Sequence, residues 1–381
     1  MQQSQGAQRR QAFFWRLFRP AVRAIAAYLG HACAKPIRLS RPTLILSNHN
    51  TDLDPAFLLV AFKSPLHFVA SEHVFRWGIV SKLITFFFQP IARQKGGSDA
   101  RAAMDIARTL RRGEHVCLFA EGNRSVDGIT APIAPATGML VKASGADLIT
   151  YRLIGGYFTQ PRWSATFRRG RMRGEVVGHY SAEALHAMSK EEINEIIRRD
   201  LHEDAYARQR QNPIAYRGKR LAEHLETALY RCPACGQIGR MHSEGDQLLC
   251  ECGLAVTYTE QGMLTGAPFD TVSQWYAWQL SQAGDLLAGE GIADADQRLY
   301  RIAPLEGAEL LAEGLLRMTR DMLTVGECRF ALIDIAGMAI LGQRTLTFTH
   351  VDGTHYEVRS ERPRSAYCYL NAFENRATKE E

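Results

Sequence analysis

Short apolar runs alternate with helical patterns through the first half of the chain. TLILS at Thr43–Ser47 reads as a buried strand, Pro55–Phe62 as a helix, Leu66–Ala70 as a strand and Asp99–Arg111 as a helix. Val116–Ala120 and Leu148–Ile154 read as further strands. Strands alternating with helices predict a layered α/β domain. A charged amphipathic helix, Lys190–Arg210, closes this block, and Asn212–Pro213 marks a break. From about Leu229 to Thr265 the pattern changes to cysteines, glycines and short strand-like pieces such as Ala255–Thr259. A helical stretch near Thr271–Leu287 then leads into Leu323–Val325, Arg329–Ile333, Met338–Leu341, Thr345–His350 and Tyr356–Arg359, all read as short strands. Asp352–Gly353 is a hairpin turn signal, and Ser365–Asn375 is a closing helix.

Composition narrows the class. With 381 residues, 46% hydrophobic and 23% charged, the chain is globular in character and long enough for two or three domains. No window approaches the ~18 consecutive apolar residues of a spanning helix, which argues against a polytopic membrane protein. The net charge of +6 is unevenly placed: no acidic residue precedes Asp52, while Arg9, Arg10, Arg16, Arg19, Arg23, Lys35, Arg38 and Arg41 do. Phe13, Phe14, Trp15, Leu17, Phe18, Val22, Ile25, Tyr28 and Leu29 are interleaved with them. Such a segment (1–40) suits a helix lying on an anionic bilayer, and equally an amphipathic helix packed on its own domain. Pro20 is expected to kink or divide it. The run lacks the continuous apolar core and cleavage site of a signal peptide, so the expected location is cytoplasmic, peripheral on the inner face of the membrane.

Candidate chemistry lies just past the strands. SNHNTDLDP follows TLILS directly, with His49 in the turn and Asp54 expected to cap the proline-started helix. A carboxylate there can accept from one imidazole nitrogen and leave the other as a general base. Alone, that spacing equally fits a structural histidine. FAEGNRS follows the strand at Val116, putting Glu121, Gly122 and Arg124 at a strand's carboxyl end, a placement suited to an anionic ligand. Arg93 in PIARQ is a second arginine just past an apolar run. Each of these loops also reads as a solvated charged turn.

Together, and in this order, the segments resemble the glycerophospholipid acyltransferase superfamily, which includes 1-acylglycerol-3-phosphate O-acyltransferases. The first family motif, His-x4-Asp, is matched by His49 and Asp54; Arg93 is the candidate for the second motif's arginine. The third, Phe-Pro-Glu-Gly-Thr-Arg-Ser, appears as FAEGNRS, and the resemblance spans roughly residues 40–165. It implies that His49, oriented by Asp54, deprotonates an acceptor hydroxyl that attacks an acyl thioester of coenzyme A or acyl carrier protein. Arg93 and Arg124 would hold an acceptor phosphate, in a pocket shaped by Glu121 and Gly122. Ala120 and Asn123 depart from the third motif. In place of a proline-rich fourth motif stand Ile149–Leu153, whose Tyr151 and Arg152 are expected to alter the acceptor pocket. Phe86, Phe87 and Phe88 could meet acyl chain or membrane, or belong to a core helix.

Cys232, Cys235, Cys250 and Cys252 form two glycine-followed pairs separated by 14 residues, which suit a closed tetrahedral zinc and resemble a zinc ribbon. A structural role follows from a module too small to build its own core. The closing strands and helix resemble a pleckstrin-homology-like or GRAM-like barrel. The expected architecture is thus α/β: a layered acyltransferase domain (41–215), a small zinc ribbon (228–262), then a β-rich PH/GRAM-like C-terminal domain (295–381). Expected partners are membrane lipids and an acyl-CoA or acyl carrier protein donor. Two other classes stay open: a zinc-ribbon nucleic-acid binder using Arg162, Arg168, Arg169, Arg171 and Arg173, disfavoured because no nucleic-acid reader is evident, and a non-catalytic lipid-binding scaffold.

Overall fold

A computed structural model describes residues 5–32, 35–71, 82, 85–86, 88–93, 100–303, 307–362 and 364–376. The described residues divide into two units, the first running to Gly218 except for Trp163–Ala165, the second taking those three residues and the chain from Lys219 onward.

The first unit is built on a sheet of β1 (His31–Ala32), β2 (Thr43–Ser47), β3 (His67–Ser71), β4 (Ile91–Arg93), β5 (Val116–Phe119), β6 (Asp147–Ile154) and β7 (Met172–Tyr180), in the order β1-β7-β6-β2-β5-β3-β4. The strands β6, β2, β5, β3 and β4 run parallel, and β7 pairs antiparallel to β6. All five residues of β2 are buried, as a strand covered on both faces requires. Alternation divides its side chains: Ile45 joins one core with Phe57, Leu58, Phe119 and Tyr151, while Leu44 and Leu46 join the other with Ile106, Val141 and Ile197.

On the first face lie α1 (Gln5–Tyr28) and α2 (Asp54–Ala61); α3 (Ala100–Arg111), α4 (Ala136–Ser144) and α7 (Lys190–Leu201) contribute to the second core. Two short helices, α5 (Gly156–Thr159) and α6 (Ala182–Ala187), and α8 (Ala205–Gln211) complete this unit. Helix α1 is not divided at Pro20, which lies inside it. Its Trp15 is 1% exposed and donates from Nε1 to the Phe62 carbonyl at 3.2 Å, so one face of this basic segment belongs to the domain core. The helix expected over Lys190–Arg210 is two helices. Asp204 caps the second by accepting from the Ala207 N–H (2.9 Å), and Glu203 exchanges hydrogen bonds with Thr130, which takes His202–Asp204 out of the helical path.

In the second unit, β8 (Met241–Glu244), β9 (Gln247–Cys250), β10 (Ala255–Tyr258) and β11 (Leu264–Thr265) form a four-stranded antiparallel sheet. Helix α9 (Val272–Ser281) follows, capped by Thr271 and anchored by Trp275, whose Nε1 donates to the Arg231 carbonyl at 2.9 Å. A seven-stranded antiparallel sheet comes next: β12 (Ile292–Ala303), β13 (Gly307–Met318), β14 (Met322–Val325), β15 (Cys328–Ala331), β16 (Ile335–Leu341), β17 (Thr345–His350) and β18 (His355–Ser360). Its order, β15-β14-β13-β12-β18-β17-β16, is two meanders joined through β12 and β18. Helix α10 (Ala366–Glu374) closes the chain's described part, with seven of its residues buried.

Candidate functional site

Strand register assembles the site. Ser47 of β2 is the partner of Phe119 of β5, so the two chains leave the sheet side by side at their carboxyl ends. His49 and Glu121 each lie two residues beyond. The His49 backbone N–H donates to Glu121 Oε1 at 2.7 Å, and its ring stacks on Phe119 with centroids 4.2 Å apart. Its Nδ1 meets Asp54 Oδ2 at 2.8 Å. Asp54 is fully buried, and the same oxygen accepts from the N–H groups of Asn50 (2.6 Å) and Thr51 (2.9 Å), while Oδ1 accepts from the Thr51 hydroxyl at 2.6 Å. A carboxylate oxygen can only accept, so Nδ1 carries the proton and Nε2 is the basic nitrogen. Asp54 is the first residue of α2 and does not cap it. Its oxygens point back into the loop, and Leu53 stands at the cap position with no side-chain bond.

The loop is fastened from a second side. Asn48 exchanges two hydrogen bonds with Leu153 of β6, 2.9 Å to its carbonyl and 2.7 Å from its N–H, and Asn50 also donates to that carbonyl at 3.1 Å. Glu121 completes the frame: its Oε2 accepts from the Ala131 N–H at 2.7 Å. Burial pushes the Glu121 carboxyl up to about 8, although both backbone N–H groups pull it the other way. Gly122 takes φ of +70°, and a Cβ there would lie 3.1 Å from Arg93 Nη1. The missing side chain thus lets the guanidinium from the end of β4 sit against this turn. Arg124 directs Nε to Asp52 Oδ1 at 3.4 Å, and Asp52 also exchanges hydrogen bonds with Gln160, 2.9 Å each way. His49, Asp54, Glu121, Gly122, Arg93 and Arg124 are therefore gathered from three strand ends.

Other expectations meet mixed outcomes. Tyr151 is buried in the core against Phe62, at 5.5 Å between centroids, and Arg152 turns to Glu175 (3.0 Å) and the His202 carbonyl (3.1 Å). Alternation along β6 sends these two side chains to opposite faces, Tyr151 into one core and Arg152 to β7. Phe86 is exposed, Phe88 packs against the core, and Phe87 lies outside the described residues. The arginine group at 162–173 is not one surface. Arg162 and Arg168 are buried, the former donating to the Arg124 carbonyl at 3.2 Å. Thr51, Asn48 and Gln160 are parts of the site that sequence reasoning missed. Thr51 had a local signal, a hydroxyl three residues ahead of the motif's aspartate.

The four cysteines of the second unit converge. The Sγ atoms of Cys232, Cys235, Cys250 and Cys252 all lie within 4.8 Å of one another, with Cys232–Cys252 at 3.7 Å and Cys235–Cys250 at 3.9 Å. Ligands of a tetrahedral ion with Zn–S of ~2.3 Å are ~3.8 Å apart, so the cluster is compatible with zinc; disulfide sulfurs would be ~2.05 Å apart. The Leu254 N–H brings the Cys252 thiol down to about 7, whereas burial pushes the Cys232 and Cys250 thiols up.

Among the described residues no helix is long and apolar enough to cross a membrane. No curated protein matches the chain. Among solved structures, it is similar to the 1-acyl-sn-glycerophosphate (LPA) acyltransferase PlsC from Thermotoga maritima, at 16% identity and a TM-score of 0.42, over 50% of this chain and 79% of that one. The Acyltransferase family matches residues 32–153, a span that holds His49, Asp54, Arg93 and the FAEGNRS turn. Over that span, about a third of the chain, the likeness is to an acyltransferase domain.

Proposed function

We propose that the protein transfers an acyl group from an acyl thioester, coenzyme A or acyl carrier protein, to a hydroxyl of a lysophospholipid-type acceptor, with 1-acylglycerol-3-phosphate as the default. The observation that carries the reading is the His49–Asp54 contact at 2.8 Å, with Asp54 buried and its remaining acceptor capacity used by Asn50 and Thr51. Nε2 takes the acceptor's proton as its oxygen attacks the thioester carbonyl. The C–O bond forms, the C–S bond breaks, and the proton passes to the departing thiolate. Arg93 and Arg124 hold the acceptor's anionic group, and Glu121 and Gly122 shape the turn between them. Asp52 on Arg124 tempers that charge, a feature that bears on which acceptor is preferred.

In the second unit, the sulfur separations support a structural zinc held by Cys232, Cys235, Cys250 and Cys252, organising a ribbon over 228–262. The joined meanders and closing helix over 295–381 support a PH/GRAM-like barrel. The basic, apolar-faced α1 supports a peripheral position on the inner face of a membrane.

The test is thiol release from palmitoyl-coenzyme A with a panel of lysophospholipids, wild type beside His49→Ala. Acceptor-dependent release should fall by a factor on the order of 10³ in the variant, with unchanged circular dichroism. A folded His49→Ala protein with wild-type turnover would sink the mechanism.

A further inference from the structure

The first unit carries a basic pocket built from none of the residues around His49. It has a volume of about 470 Å³ and is lined by Ala27, Tyr28, Gly30, Arg169, Gly170, Arg171, Ile214, Ala215 and Arg217, with no acidic residue among them. Two of its arginines are forced together by the backbone. Arg169 and Arg217 exchange both main-chain hydrogen bonds at 2.8 Å, the arrangement that sets Cα atoms ~5.5 Å apart. An anion lying between them would meet both guanidinium groups. Arg171 lies two residues on from Arg169, across a bend at Gly170, and all three are exposed and line the same pocket. One wall is bare backbone: a Cβ on Gly30 would stand 1.7 Å from the Gly170 carbonyl oxygen.

The rim says what kind of anion. Tyr28 lines the pocket, with the Arg169 guanidinium 4.6 Å from its ring centroid, and it also ends an apolar stripe on α1. Phe13, Leu17, Ile25 and Tyr28 are 61%, 56%, 54% and 65% exposed. At 100° per residue they fall within about 120° of arc, away from the buried Trp15 and Ala26. A free phosphate or a polynucleotide would use the arginines and leave this stripe in water. A phospholipid surface uses both, apolar side chains entering the acyl layer while arginines meet phosphate.

We propose that Arg169, Arg171 and Arg217 form a binding site for the phosphodiester headgroup of an anionic phospholipid, seated where the exposed stripe of α1 meets the bilayer. The test is sedimentation of the full chain with phosphatidylcholine vesicles with and without phosphatidylglycerol, which reads binding whether or not the acyltransferase reading holds. The Arg169→Gln, Arg171→Gln, Arg217→Gln protein should lose its preference for the anionic vesicles by a factor on the order of a hundred. A charge-matched control on α3, Arg101→Gln, Arg108→Gln, Arg111→Gln, should retain it. If the triple variant does not fold, Arg171→Glu alone should lower the partition on the order of tenfold. Equal losses in pocket and control variants, undiminished binding by the pocket variant, or full competition by inorganic phosphate or polyuridine without vesicle preference would each overturn the proposal.

Discussion

The loop that holds His49 and the turns that hold the four cysteines solve one problem by opposite means. Each must fix polar groups at close range on irregular backbone. The His49 loop does it with hydrogen bonds: Asp54, Thr51, Asn48 and Glu121 satisfy one another and neighbouring main chain, between two hydrophobic cores that supply the cohesion. The cysteine turns flank a sheet whose strands are no longer than four residues, with Leu248, Val256 and Tyr258 among its few fully buried apolar side chains. So little apolar area cannot offset the ordering of its chain. The contrast teaches where stability can come from: a buried polar network can rely on its surroundings, whereas a small sheet would gain most from a cross-link such as the zinc proposed for it.

Removing metal should break the comparison most. Structural zinc in small modules contributes on the order of 10 kcal/mol to folding, so a strong chelator, or Cys232→Ser with Cys250→Ser, should open residues 228–262 to protease while 41–215 stays resistant. Metal analysis that finds no zinc in the untreated protein, or zinc retained by the double variant, would remove the site. Thr51→Val acts on the other side of the contrast. It strips a side-chain hydroxyl from a buried carboxylate, and should cost about 1–3 kcal/mol by urea denaturation while lowering kcat more than it raises KM. An unchanged midpoint would mean that the network is slack.

The most gradual expected effect is one of pH. Glu121 rises from its ordinary 4.5 to about 8, so the folded chain keeps a proton that the unfolded chain has released. Stability drawn from this group is therefore present at low pH and is lost as pH climbs from about 4.5 to about 8, by at most ~1.4 kcal/mol per pH unit. Wild type should lose stability relative to Glu121→Gln across that window. A difference that stays flat with pH assigns Glu121 a charge throughout.

How much of this was legible depended on how local the cause was. The His49 motif and the FAEGNRS turn were readable because each is a contiguous loop after a buried strand, and β2 and β17 have the bounds that their apolar runs predict. What failed was non-local. Strand β13, GAELLAEGLLRM, is rich in strong helix formers and was not foreseen as a strand; it is extended because it pairs along its length with β12. Strand β12 itself is broken by a register shift between Asp294 and Gln297, where Asp296 takes φ of +58°, and shows no clean alternation. In β7, Gly174 and Gly178 weaken the pattern, yet a Cβ on Gly174 would fall 2.2 Å from the Tyr151 hydroxyl. The Asp52–Gln160 pair and the Asn48–Leu153 clamp depend on partners more than a hundred residues away, which no motif spacing encodes.

That last separation has a consequence during synthesis. Asn48 and Leu153 are 105 positions apart, and β6 pairs directly with β2. A growing chain emerges from the ribosome at ~5–20 residues per second, so for some seconds it carries His49 before the strand that clamps its loop exists. The bonds by which Asn48 and Asn50 fasten this loop to Leu153 form only after β6 docks. The candidate site of the nascent protein is thus completed only once residue 153 has been made, while the rest of the first unit, to Gly218, is still to come.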